Sequence, residues 1–150
     1  MKIIPLNKSY AKAVSSTALI SKAYWGYSQE FMEKCREELT FGETFFKTHI
    51  VKGVFVGKTL AGFYAFKTQS KKKGELAALF VLPEFIGKGA GRALVGDCLN
   101  LARILGVETI AVESDPFAKP FYSHFGWSQV GEVPSDSIPG RSLPLMELRL

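Results

Sequence analysis

The sequence predicts an α+β fold, a mixed sheet flanked by helices in the order β-α-α-β-β-β-α-β-α-β-β; some schemes class such layering as three-layer α/β. Three observations carry this expectation. Residues 50–82 read as short apolar strands separated by turn signals. Apolar side chains recur at helical spacing in three other stretches, as in Tyr10, Val14 and Ala18, or Phe31, Cys35 and Leu39. Glycine and proline punctuation then separates two further strands near the end.

The elements follow in order. KIIPL (2–6) reads as a first strand, with Pro5 favouring an edge position. Asn7 or Ser9 caps a helix running to about Tyr24. Ser28 caps a second, whose charged Lys34, Arg36, Glu37 and Glu38 point away from the apolar stripe. Ile50 to Val56, Leu60 to Thr68 and Glu75 to Leu82 form an antiparallel meander, turning at Gly57-Lys58 and at QSKKKG. A helix spans about Gly89 to Leu105, burying Leu94, Cys98, Leu101, Ala102 and Leu105, and Gly106 closes it. Thr109 to Val112 is a buried strand. Asp115-Pro116 supplies the cap and first position of a short helix ending near Phe125-Gly126, which Pro120 kinks or delays. Trp127 to Val133 and Leu143 to Leu150 are the last strands, joined by the stiff loop PSDSIPGR.

Bulk properties bound the function. The 150 residues suit a single domain spanning 1–150, with chain enough for a sizeable core. No apolar run approaches the ~20 residues of a membrane span, and the N-terminus lacks a signal-like stretch, so a cytoplasmic protein with no membrane partner is expected. Cys35 and Cys98 are far apart and form no C-x-x-C pair, which reads as two reduced thiols and no metal site. The formal net charge of +5 owes three charges to Lys71, Lys72 and Lys73, a solvated turn. There is no basic stripe interleaved with aromatics, so nucleic acid is not an expected partner. His49 and His124 lie on different elements and show no ligand spacing.

The chemistry concentrates in VLPEFIGKGAGRAL, residues 81–94. Gly87, Gly89 and Gly91 keep space clear for main-chain N–H groups to point at one anion. The helix that follows presents unpaired first-turn N–H groups and a positive dipole end. Lys88 and Arg92 flank that end, where cations are disfavoured unless an anion sits among them. The pattern is not a Rossmann loop, since Arg92 and Leu94 occupy the positions where a third glycine is needed. Gly57-Lys58-Thr59 spells the end of a P-loop but reads as a hairpin turn.

This stretch resembles the acetyl-CoA-binding motif of the GNAT superfamily of N-acetyltransferases, with Val81, Pro83, Gly89 and Gly91 on its positions. DPFAKPFYSHFGW resembles the family's second motif through Ala118, Tyr122, Gly126 and Trp127, with Asp115 where Asn is usual. SKAYWGY and IPGRSLPLMEL look like one bacterial subgroup with no assigned acceptor. The resemblance implies a mainly antiparallel GNAT-like sheet, splayed where acetyl-CoA enters. It implies transfer of an acetyl group from acetyl-CoA to a primary amine, on a small molecule or a protein, by direct attack; a homodimer is left open. The backbone at Phe80 and Val81 would pair with the pantetheine arm. The N–H groups from Gly87 through Lys88, Gly89, Ala90 and Gly91 to Arg92 would hold the pyrophosphate, beside Asp115. Tyr122 would be the general acid for the departing thiolate. Ile86 stands where the family usually has Arg or Gln, which implies a weaker phosphate grip.

The general base stays open between Glu75, Glu113 and a water relay. In a regular strand Glu75 would share a face with Ala77, Leu79 and Val81, and Ala77 stands where relatives often place a second acid. Among the aromatics of residues 24–46, Trp25 and Tyr27 are the candidate acceptor-pocket walls. The competing expectation is a non-catalytic acyl-CoA-binding sensor or partner-binding module.

Overall fold

A computed structural model of the chain describes residues 1–150. Seven strands form one sheet: β1 (Lys2–Pro5), β2 (Ile50–Val56), β3 (Thr59–Thr68), β4 (Lys73–Val81), β5 (Thr109–Glu113), β6 (Ser128–Pro134) and β7 (Ser142–Arg149). Their spatial order is β1-β2-β3-β4-β5-β7-β6, and every neighbouring pair is antiparallel except β4 and β5. The α+β class and its mainly antiparallel sheet are as expected. Pro5 lies on the edge strand, where its missing N–H leaves no gap in an internal ladder.

Five helices cover the two faces. α1 (Ala11–Ala23), α2 (Gln29–Cys35) and the short α3 (Glu43–Thr48) lie on one side; α4 (Ala90–Ile104) and α5 (Lys119–His124) lie on the other. α3 adds one element to the expected order. Its six residues hold too few turns for a periodic stripe. The sheet separates two cores. Phe66, Leu76, Leu94, Ile110 and Met146 pack beneath α4, while Val14, Cys35, Phe63 and Ala65 pack beneath α1 and α2. Cys35 and Cys98 are buried free thiols in different cores.

Local signals account for most boundaries. Ser28 Oγ accepts from Phe31 N–H at 3.1 Å and starts α2. Asn7, rather than Ser9, supplies the first cap, accepting from Ser9 N–H at 2.9 Å in the 3-10 turn that leads into α1. Gly106 and Gly126 both have positive φ and close α4 and α5 with the same pair of bonds. Beyond α5, Gly126 N–H donates to the Ser123 carbonyl at 3.1 Å, and Trp127 N–H donates to the Tyr122 carbonyl at 3.1 Å. Pro120 delays its helix: a 3-10 turn spans Pro116–Ala118, and α5 begins at Lys119, placing the ring where no internal N–H is needed. Leu105 departs from the expected stripe, being 42% exposed, because α4 ends at Ile104 and the chain turns away from the sheet.

One irregularity matters for the site. In the β3–β4 ladder Ala65 faces Ala78 and Phe66 faces Leu76, so Ala77 is an extra, bulged residue. The bulge reverses the alternation. Leu76 lies in the α4-side core, but so do Leu79 and Val81, whereas Ala78 and Phe80 face α1. Glu75 therefore shares its face with Ala78 and Phe80, not with Leu79 and Val81 as a regular strand would have it.

Candidate active site

The parallel pairing of β4 and β5 is short. It runs from Lys73 opposite Thr109 to Glu75 opposite Ala111, and then the strands diverge. Beyond that point β4 keeps β3 on one side and presents an unpaired backbone edge on the other. The gap opens into a cavity of about 310 Å³, lined by β4 from Leu76 to Val81, by Val112 and Glu113 of β5, and by α5 through Phe121 and Tyr122. The volume falls at the lower end for small-molecule sites.

The glycine loop forms one wall, through Ile86, Gly87 and Gly91. Gly89 caps α4 in the left-handed conformation at φ +92°, and Gly87 has φ +77°. The main-chain N–H groups of Gly87, Gly89, Ala90, Gly91 and Arg92 have no acceptor within the protein. That of Lys88 is used inside the loop, donating to the Phe85 carbonyl at 3.3 Å. A side chain on Gly87 would meet no neighbouring atom, so its positive φ alone demands glycine there. Gly91 differs: a Cβ would come within 2.8 Å of Phe121, so this glycine lets α4 and α5 approach. The Lys88 and Arg92 side chains are exposed and form no ion pair; Arg92 lies 5.8 Å from the Phe125 ring centre. Ile86 is 47% exposed at the loop, leaving the anion cradle to the backbone and these two cations.

Tyr122 lies on the floor. It is 5% exposed, packs edge-on against Phe121 and Trp127, and lines the cavity. Trp127 in turn is fixed by its indole N–H, which donates to the Ile110 carbonyl at 3.0 Å. The Tyr122 hydroxyl has no hydrogen-bond partner in the protein and is not sealed from the cavity. Burial raises its phenol well above the ordinary tyrosine value, with smaller contributions from Cys98 and Asp115, so it is a neutral O–H donor at physiological pH.

The two carboxylate candidates occupy different places. Glu75 accepts from Gln69 Nε2 at 2.7 Å and lines a separate depression of about 170 Å³ near the β4–β5 junction. Glu113 lines both that depression and the main cavity, and has no ion-pair or hydrogen-bond partner. Burial, followed by the negative charges of Glu75, Asp136 and Glu38, raises the Glu113 carboxyl above its ordinary value, against a weaker opposing pull from Lys67.

Asp115 forms the third feature. Its carboxylate accepts from Phe117 N–H at 2.9 Å, capping the turn after β5 as expected. It also meets Lys22 Nζ at 3.0 Å and accepts from the Tyr27 hydroxyl at 2.9 and 3.0 Å. Arg141, in the β6–β7 loop, donates to the Tyr27 hydroxyl at 2.7 Å and lies 3.5 Å from Asp115. Burial works to raise the Asp115 carboxyl. Lys22, the Phe117 N–H and Tyr27 outweigh it and hold the group below the ordinary carboxylate range. Tyr27 thus serves this latch and does not line the cavity, whereas Trp25 does, stacked on Phe117 with ring centres 5.5 Å apart. His49 stacks on Phe45, and neither histidine lines the cavity.

Sequence reasoning missed Lys22, Arg141 and Glu38. Lys22 and Asp115 are 93 positions apart, and Tyr27 and Arg141 are 114 apart. No local pattern couples residues at such separations.

A family model described as an acetyltransferase (GNAT) domain matches residues 18–137. Among solved structures, an N-acetyltransferase from Rhodopseudomonas palustris superposes with a TM-score of 0.83 at 17% identity, over 99% of this chain and 95% of that one. The PaiA N-acetyltransferase from Thermoplasma acidophilum, in complex with coenzyme A, gives 0.79 at 22% identity over the full length of both chains. A GNAT family acetyltransferase from Elizabethkingia anophelis with acetyl-CoA bound gives 0.67 at 12% identity, over 99% and 97% of the two chains. At these identities the likeness is one of fold. No curated protein sequence matches.

Proposed function

The chain belongs to the GNAT acetyltransferases, and we propose that it moves the acetyl group of acetyl-CoA onto a primary amine by direct attack, with Tyr122 as general acid and Glu113 as general base. One observation carries this reading. The unpartnered Tyr122 hydroxyl lies in the same cavity as the unpaired edge of β4 and the glycine loop at the α4 N-terminus, to which that edge leads.

The residues present fit the CoA moiety. The five free N–H groups between Gly87 and Arg92, at the positive end of a 15-residue helix, suit a pyrophosphate. Lys88 and Arg92 add charge around it. The open backbone edge at Phe80 and Val81 suits an extended amide-bearing arm, held as an added strand is held. The thioester supplies an activated acyl carbonyl.

The protein's part is positioning and proton movement. Glu113 takes a proton from the acceptor ammonium, and its raised affinity for protons suits that task. The free amine then forms a C–N bond to the carbonyl carbon. As the C–S bond breaks, the Tyr122 O–H gives its proton to the departing sulfur; the second amine proton, relayed through solvent, restores the Tyr122 O–H, and Glu113 releases the first to solvent. No acyl-enzyme is needed. Cys98, the cysteine in this core, is packed away, and burial pushes its thiol up to about 12, far from a nucleophilic thiolate. Bringing both reactants into one cleft does the work that a covalent intermediate does elsewhere.

The test is thiol release by the purified protein with acetyl-CoA and a panel of primary amines, with the acetylated product identified by mass. We expect sequential kinetics and amine-dependent release. Acetyl-CoA binding without release above background for any amine would leave a CoA-binding module instead.

A further inference from the structure

We propose that Arg141 is a positioning residue: acting through Tyr27 and Asp115, it orders the two loops that wall the acceptor side of the cavity. This deepens the acetyltransfer reading and rests on it.

The cavity has two unlike halves. The half suited to CoA is built from β4, the glycine loop and α5, and packs on the α4-side core through Leu79, Val81, Phe85 and Phe121. The other half takes Trp25 from the α1–α2 loop and Leu143 from the start of β7, just past the β6–β7 loop. Neither loop is tied to the sheet by its main chain. In residues 24–28 the N–H groups of Tyr24, Trp25 and Gly26 donate only to carbonyls at the end of α1. In residues 135–141 the main chain closes on itself. Ser135 N–H donates to the Arg141 carbonyl at 2.7 Å, and Arg141 N–H to the Ile138 carbonyl at 3.2 Å. Side chains must therefore hold both loops.

Arg141 joins the two loops to the sheet. Its guanidinium donates to the Tyr27 hydroxyl at 2.7 Å, lies 3.5 Å from Asp115 just beyond β5, and covers the Phe31 ring at 4.9 Å. The Tyr27 hydroxyl donates in turn to Asp115. The Arg141 side chain is only 18% exposed, so water competes weakly for these bonds. Lys22 shares Asp115 from α1 but makes no bond to the β6–β7 loop. Ser137 ties that loop only to Glu38, past the end of α2, and Ile138 adds apolar packing, which has no direction. Neither Arg141 nor Tyr27 lines the cavity, so each acts through what it holds.

Without Arg141 the walls at Trp25 and Leu143 would be in place only part of the time. An acceptor then binds with an apparent affinity reduced by that fraction, while the filled cavity turns over as before. The signature is a raised acceptor KM with kcat and CoA affinity kept.

The experiment compares Arg141→Ala, Arg141→Lys and Tyr27→Phe with the parent protein. It uses acrylamide quenching of tryptophan fluorescence, calorimetry with CoA, and kinetics at saturating acetyl-CoA with a panel of primary amines that includes butylamine and aminobutanoate. The chain has two tryptophans, and Trp127 is 2% exposed against 38% for Trp25, so quenching reports on Trp25. We expect Arg141→Ala to raise the quenching constant about twofold and the KM of every amine used about tenfold, with kcat and CoA affinity within about twofold of the parent. Tyr27→Phe, which keeps the stacking on Phe31, should act in the same direction with a smaller effect, and Arg141→Lys should recover part of the loss. Unchanged quenching and KM in Arg141→Ala would overturn the inference and leave acetyltransfer standing. So would a KM rise confined to aminobutanoate, which would make Arg141 a ligand for its carboxylate, or an equal fall in CoA affinity, which would mean general loss of order. No turnover of any amine by the parent protein, with acetyl-CoA bound, would overturn acetyltransfer and this inference with it.

Discussion

The Lys22 ammonium lies 3.0 Å from the Asp115 carboxylate, fastening the last turn of α1 to the end of β5 at the cavity wall. Both side chains are largely buried, at 13% and 14% exposure, so solvent screens the pair weakly. Asp115→Ala would leave Lys22 and Arg141 without their shared anion and should lower the unfolding free energy by roughly 3 kcal/mol, the low end for breaking a buried pair. Urea denaturation measures it; a loss under ~0.5 kcal/mol, typical of a surface site, would show that the latch adds little.

Acid stability offers a second view of that latch. The Asp115 carboxyl titrates below its ordinary 3.8 in the folded chain. The unfolded state therefore binds more protons as pH falls through this range, and stability falls with it. The contribution is complete above the unfolded value and is lost as pH drops through the lower folded value. Asp115→Asn should lower stability at neutral pH and flatten the decline below about pH 4. An unchanged acid limb in the variant would assign the decline to other carboxylates.

Tyr122→Phe keeps the packing against Phe121 and Trp127 and removes only the hydroxyl. Turnover should drop by about 10²-fold or more, the scale of general-acid catalysis, with CoA affinity within about twofold of the parent. Calorimetry and steady-state kinetics separate the two quantities. A parallel fall in both would make Tyr122 a packing residue.

Glu113→Gln should lower kcat/KM at neutral pH by about 10²-fold. The deficit should shrink as pH approaches the acceptor's own pKa, because a free amine arrives without the proton that Glu113 removes. A deficit independent of pH would indicate a binding role instead. Glu75→Gln, outside the main cavity, should keep most of the activity but shift this profile to lower pH, because it removes a negative charge that helps raise the Glu113 carboxyl.

The loop can be tested apart from the core. A side chain at Gly87 meets no neighbouring atom but must adopt φ +77°. Gly87→Val should therefore re-set the loop backbone and remove most of the thermal stabilisation that CoA confers, while costing the free protein only about 1–2 kcal/mol. Gly91→Val is a poorer probe, since Phe121 stands in its way. Undiminished CoA stabilisation in Gly87→Val would argue that phosphate binds elsewhere.

Much of the fold was legible because its signals are local. Ser28 and Asp115 cap the turns that follow them, Gly106 and Gly126 close their helices, and Pro120 delays α5. Each depends on a few successive residues and on backbone conformations that proline fixes or glycine alone tolerates. The short α3 escaped because its single apolar cluster serves a helix or a loop equally well.

The site divides along the same line. By itself the sequence determined a glycine loop feeding a helix, and a tyrosine one turn before a Gly-Trp terminus. Those are main-chain geometries written in neighbouring residues. Tertiary structure alone decided which acid faces the cavity. The bulge at Ala77 turns Glu75 away from the Leu79 and Val81 face, and the divergence of β5 carries Glu113 to the opening. It also decided that Tyr27 serves the Asp115 latch, since Lys22 and Arg141 reach that carboxylate from distant parts of the chain. Charge pairing depends on distance in space, and a bulge shifts the alternation of a whole strand; neither quantity is carried by residue spacing.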